Sequence, residues 1–284
     1  MPLSEFVRYL NAQQAQPGSG LPSTTPFVAE DGRVSVHFAK LRLESCFSPI
    51  VSLADGEVYG HAAGLRVFGR NNHRLLVPDA IFVLAGDDAQ FVYLDRLVRT
   101  LHTLNYLTYR QRRTRGTLLL RVHPRHVAST PAGHGLAFEE VLRSCGLLPE
   151  QITLEIEIDG GDGGDGADGR EHLLRAVDNY KQRGYAVAVG RFGRRASDFD
   201  LLREVAPAIV KFDPLWVAST TSWQPLVERV HALGARVLIG GVDGADGDES
   251  TSLRGEALAN GVDLVQMYAA SERVARVDEA FACA

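Results

Sequence analysis

The sequence predicts an α/β fold whose parallel sheet closes into a (β/α)8 TIM-type barrel, and three observations carry that prediction. The chain has 284 residues, 45% hydrophobic and 23% charged, which is enough apolar material for one large core. Short β-branched apolar runs alternate with amphipathic stretches from about residue 34 onward. The number of these βα repeats suits a barrel, with an open doubly wound sheet as the alternative on topology alone.

The elements follow in order. "LSEFVRYLNAQQ" has helical spacing, and "PGSGLPSTTP" then breaks it, so residues 1–33 read as an appended helix and linker and residues 34–284 as the main domain. Strands are expected at "VSVHFA", "CFSPIVSL" and "VYGHAAGLRVF", then helices around Pro78–Ala85 and Phe91–Tyr106. Strands "TLLLRV", "ITLEIEI", "AVAVGRF", "AIVKFD", "RVLIGGV" and "LVQMY" follow, separated by helices "AFEEVLRSC", "REHLLRAVDNYKQRG", "DFDLLREV", "WQPLVERVHALG" and "SLRGEALANG". The Gly/Asp-rich "DGGDGGDGADG" after "ITLEIEI" reads as an acidic loop near the barrel mouth, because a calcium-binding nonapeptide needs stacked copies.

Composition excludes several classes. A formal net charge of −5 gives no global pull toward nucleic acid or acidic membranes, and the basic run "TYRQRRTRG" reads as a solvated helix end. Cys46, Cys145 and Cys283 are odd in number and far apart, which fits neither a disulfide framework nor a zinc cluster and suits a reducing cytoplasm. Glu5 and Arg8 interrupt any signal-peptide core, and no later stretch has the uncharged length of a membrane span. The expectation is a soluble cytoplasmic protein with no direct contact to nucleic acid or membrane.

Barrels of this type place their chemistry at the C-terminal ends of the strands. Those ends carry Ala62 and Arg66, Arg121 and His123, Glu155 and Glu157, Gly190 and Arg191, Lys211 and Asp213, Gly240 and Asp243, and Gln266. No pair of ends supplies the carboxylate cluster that magnesium demands. His123 and His126 in "VHPRH" read as a post-strand loop rather than as metal ligands, and Glu157 as a residue of the opposite strand face, though within reach of an arginine at the mouth. Trp216 and Trp223 read either as core or as an exposed aromatic contact.

The segments "FSPIVSLADGEVYGHAAGLRVF", "LLVPDAIFVLA", "LLLRVHPRHV", "ITLEIEI", "VGRFGRRASDFDLLREVAPAIVKFD", "LGARVLIGGVD" and "GVDLVQMY" together resemble the EAL-domain cyclic di-GMP phosphodiesterases from about residue 34 to the end. The resemblance implies a modified (β/α)8 barrel that hydrolyses cyclic di-GMP with two magnesium or manganese ions. It places Ala62 where the family has its namesake ligand glutamate, and Arg121 where it has a metal-binding asparagine. Gly190 and Arg191 stand for the paired aspartates of "DDFG", and Gly240 and Asp243 for the glutamates of "AEGVE". The ligand glutamate survives as Glu155, the general-base lysine as Lys211 followed by Asp213, the phosphate-contacting arginine as Arg66, and a glutamine as Gln266. In the loop after "GRFG", Gly193 and Ser197 are kept and Arg195 replaces a glycine.

At these positions Glu155 and Asp243 face Arg121, Arg191 and Lys211, two acids against three cations. Two divalent cations need an anionic site of oxygen ligands, so the resemblance points to a vestigial site with no metal, no cofactor and no hydrolysis. The first reading is therefore a catalytically inactive EAL-like domain that binds an unidentified regulatory protein in cyclic di-GMP or motility-type bacterial signalling. The second is a metal-independent cyclic di-GMP receptor using Arg66, Arg121, Arg191, Lys211, Asp213 and Gln266. An active phosphodiesterase is the third, and the charge sum speaks against it. In the first reading Arg121 and Arg191 turn inward to pair with Glu155 and Asp243 as struts. Family members often pair as homodimers, and the altered "GRFGRR" loop leaves that open here.

Overall fold

A computed structural model of the chain describes residues 3–14, 27–69, 74–112, 116–130, 132–158, 167–193, 199–220, 222–243 and 248–268. Of these, 13–14, 110–112, 167, 214–215, 241–243, 248–252 and 268 are described by backbone alone. They divide into two compact units, one from residues 1–46 and 63–114 and the other from residues 47–62 and 115–274.

The first unit begins with α1 (Leu3–Gln14), β1 (Phe27–Glu30), β2 (Arg33–Phe38) and the first half of β3 (Leu41–Ser52). It continues with the second half of β4 (Val58–Gly69), β5 (Leu75–Leu76), a 3-10 turn at Pro78–Leu84, and α2 (Asp88–Arg112). β1, β2 and β3 form an antiparallel meander, and β4 pairs antiparallel with β5. Alternation along β2 buries Val34 and Val36 and leaves Ser35 and His37 half-exposed, which is the period-two signature of a sheet covered on one face. The cover is α2, whose Asn105 side chain completes the Val34 backbone: its amide donates to the Val34 carbonyl and its oxygen accepts from the Val34 N–H, both at 2.8 Å. Residues 27–30, read from the sequence as linker, are a strand, and Asn11 of α1 ties Phe27 down by donating to its carbonyl (2.8 Å) and accepting from its N–H (3.2 Å).

The second unit holds the ends of β3 and β4 that adjoin their tight turn. Then come β6 (Thr117–Arg121), α3 (Pro124–Ser129), α4 (Leu136–Ser144), β7 (Ile152–Glu157), α5 (Ala167–Gln182), β8 (Ala186–Phe192), α6 (Phe199–Val205) and β9 (Ile209–Phe212). It ends with α7 (Pro214–Ser219), α8 (Gln224–His231), β10 (Arg236–Asp243), α9 (Asp248–Ala259) and β11 (Leu264–Tyr268). Neighbouring strands run β3-β11-β10-β9-β8-β7-β6-β4, and the β3–β4 pairing closes the ring of eight. The pairs from β4 through β11 are parallel, whereas β3 is antiparallel to β11. The barrel expectation is met with one strand reversed, and the open sheet is excluded. Inside the ring, Ile50, Ala62, Leu119, Ala188, Ile209, Leu238 and Leu264 form a buried apolar layer, each large member contributing about 1.5–3 kcal/mol by burial.

Candidate functional site

Strand periodicity carries the site upward from that layer. Two residues beyond Leu119, Ala188, Ile209, Leu238 and Leu264 come Arg121, Gly190, Lys211, Gly240 and Gln266, with Glu155 opposite Arg121 and Ala188 in register. Gly240 and Gln266 are register partners. Sequence positions scattered over some 150 residues thus meet at the C-terminal mouth of one barrel. Ala62 is different: it is packed into the apolar layer itself, paired with Leu119.

The charges in this tier are partnered with one another. Lys211 Nζ donates to Glu155 Oε2 at 3.1 Å, and the two side chains are only 13% and 11% exposed. Arg121 Nη2 lies 2.9 Å and Arg191 Nε 3.6 Å from the same oxygen, Oε1 of Glu157. The expected pairing of the arginines with Glu155 is therefore corrected, since both reach Glu157 and Glu155 pairs with the lysine, while the expected pairing with Asp243 falls on a side chain outside the described residues. The reading of Glu157 as a residue of the opposite face is corrected, while its reach to an arginine at the mouth is what the structure shows: two steps along a strand return a side chain to the same face. That parity was the signal that could have found it.

Two backbone features make this arrangement fit. A Cβ added at Gly190 would lie 2.9 Å from Glu155 Cγ and nearer still to Oε1, so the carboxylate occupies space that only glycine leaves open. Arg191 has φ +51, in the left-handed region, where the β8–β9 register shifts between Val189 and Phe192. A bulge of this kind re-aims one side chain, here toward Glu157.

Gln266 shares this tier without joining an ion pair, and the other sequence candidates are placed as follows. Asp213, buried, accepts from the Trp216 N–H (3.4 Å) at the start of α7. Gln266 is buried, and its Oε1 has no hydrogen-bond partner among the described residues. Arg66 belongs to the first unit, where its guanidinium stacks 5.2 Å from the Phe68 ring centroid. His123 caps α3 by accepting from the Arg125 N–H (3.1 Å). Trp223 is a core residue, donating to the Val217 carbonyl at 3.3 Å, whereas Trp216 lies against Gly193 and edge-on to Phe212. The Asp243 side chain, residues 194–198 with Arg195 and Ser197, residues 159–166 of the Gly/Asp-rich stretch, and Cys283 lie outside the described residues.

The profile of one family, the EAL domain, matches residues 32–250. The chain belongs to the EAL domain family. No curated protein sequence matches it. Among solved structures, the EAL enzyme Bd1971 in its cAMP-bound form is similar at 18% identity and TM-score 0.62, over 80% of this chain and 62% of that one. The Bacillus subtilis YkuI protein, with an EAL domain, in complex with substrate c-di-GMP and calcium, is similar at 17% identity and TM-score 0.61, over 80% of this chain and 54% of that one. The Xanthomonas citri FimX EAL domain in complex with c-diGMP is similar at 19% identity and TM-score 0.61, over 93% and 91%. This EAL chain thus spans 62% and 54% of the first two.

The divalent ions usual in EAL enzymes can be tested against the residues present. Ala62, Gly190 and Gly240 bring no donor, Arg121 and Arg191 bring positive charge, and Glu155 is engaged by an ammonium. Among the described residues, no three His, Cys, Asp or Glu side chains come together as a metal-holding group. The described donor set does not fit a divalent cation.

Proposed function

We propose that this EAL domain does not hydrolyse cyclic di-GMP and instead regulates by binding another protein in a cytoplasmic, cyclic di-GMP or motility-type bacterial signalling system. The Glu155–Lys211 ion pair carries the reading. By resemblance these are a metal ligand and a general base; here each neutralises the other, and the carboxylate sits over Gly190, where a further acid would have to project. What is left is a barrel with its core intact and its chemistry dismantled, which suits a scaffold for contact. The regulatory partner is an analogy with degenerate members of the family.

Incubation of the purified chain with cyclic di-GMP and manganese or magnesium tests the first half, with no linear dinucleotide expected. Conversion that is abolished by Glu155→Gln would defeat it. Purifying the natural complex from the source cell tests the second half, and recovery of the chain alone counts against it.

A second reading, a metal-independent cyclic di-GMP receptor, is favoured by one observation: Arg121 and Arg191 converge on a single carboxylate while remaining about one-third exposed. Guanidinium forks of this kind suit phosphate oxygens. Calorimetry separates the two readings, because binding without metal supports the receptor and no heat supports the protein-contact module.

A further inference from the structure

Glu157 is used by neither the apolar layer nor the Glu155–Lys211 pair. It stands one tier further out, and what it does there is to hold two guanidiniums. We infer that Glu157 is a built-in competitor: Arg121 and Arg191 form an anion seat, and a phosphate-bearing ligand enters it only as the Glu157 carboxylate lets go. The inference rests on the receptor reading above and adds to it a residue that sets affinity.

Three observations carry it. The arginines come from β6 and β8, on either side of the strand that bears Glu157, so the seat is built by the barrel's own register and does not depend on a loop. The side chains of Arg121, Glu157 and Arg191 are 37%, 17% and 39% exposed, two to three times the exposure of Lys211 for both arginines, so a solute can reach them. Both contacts fall on one carboxylate oxygen, at 2.9 and 3.6 Å, and the longer is a loose fit that a phosphate, with more oxygens to offer two forks, improves on. Arg191 adds a fourth consideration. It is held at φ +51, a conformation that non-glycine residues avoid and that gathers at functional positions when surrounding structure enforces it.

The test is calorimetry in EDTA, with cyclic di-GMP and, separately, inorganic pyrophosphate as probes. Glu157→Gln keeps the shape and removes the competing charge, and it should bind either probe about tenfold more tightly than the unaltered chain, the scale of one charge-assisted contact. Glu157→Gln combined with Arg121→Ala or Arg191→Ala should lose the gain. Equal binding by the unaltered and Glu157→Gln chains overturns the competitor role and leaves the receptor reading standing. A gain for pyrophosphate with no binding of cyclic di-GMP supports the seat and its competitor and sinks the cyclic dinucleotide receptor. Silence with both probes, from a Glu157→Gln chain whose circular dichroism matches the unaltered one, overturns both. Should Glu157→Gln fail to fold, Glu157→Asp shortens the reach by one methylene and should show a smaller gain in the same direction.

Discussion

The Glu155 carboxylate fills the volume that a side chain at residue 190 would need: a Cβ there would stand 2.9 Å from Glu155 Cγ. Restoring an acid at 190 therefore does not simply restore a site. Gly190→Asp pushes a second carboxylate into space already taken, and overpacking of this kind costs about 1–3 kcal/mol. The expected outcome is a lower urea midpoint at unchanged m-value, with no gain of hydrolysis. An unchanged midpoint would show that Glu155 swings away freely.

Lys211→Met leaves the Glu155 carboxylate about nine-tenths buried without its cation. Removing one partner of a buried pair costs roughly 3 kcal/mol, whereas removing both charges costs far less. Lys211→Met/Glu155→Gln should recover most of the stability lost by the single variant. A double-mutant cycle with no coupling would mean that the pair is incidental to the fold.

Arg191→Gly relieves a left-handed φ at the loss of a loose, partly solvated ion pair. The relief is worth about 1 kcal/mol and the ion pair less. Thermal and urea unfolding should show the variant slightly more stable than the parent. A clear loss of stability would assign Arg191 to the barrel's structure and not to its ligand chemistry.

In the first unit, His102 of α2 is buried with its Nδ1 at 2.9 Å from Ser45 Oγ, and burial pushes its pKa down to about 4, partly offset by Asp95. The unfolded chain takes up this proton near pH 6.5, so it binds more protons than the folded chain between about pH 6.5 and 4. Stability is full above that window and falls as the pH drops through it, by about 3 kcal/mol at most. His102→Gln should flatten this slope between pH 7.5 and 5 in urea titrations. An identical slope would place the acid sensitivity elsewhere.

The order of strands and helices was legible because apolar alternation and turn residues are local signals, and the strand from Ala186 to Phe192 and the helix from Leu3 to Gln14 fall where the sequence places them. The short helices at Pro124–Ser129 and Pro214–Ser219 escaped notice. Six residues hold too little periodicity, and both depend on a side chain at the start, His123 and Asp213, accepting from the backbone.

By itself the sequence determined the α/β barrel class and the strand ends that share its mouth, since each follows from residue type and strand position; its count of two acids against three cations there left out Glu157, which evens the balance. Only the tertiary structure decided which charge meets which. Whether Arg121 and Arg191 reach Glu155 or Glu157 depends on the register between neighbouring strands, on a bulge at Arg191, and on a carboxylate seated over Gly190. Those are relations across strands, and a shift of one residue in any of them would pair the same side chains differently.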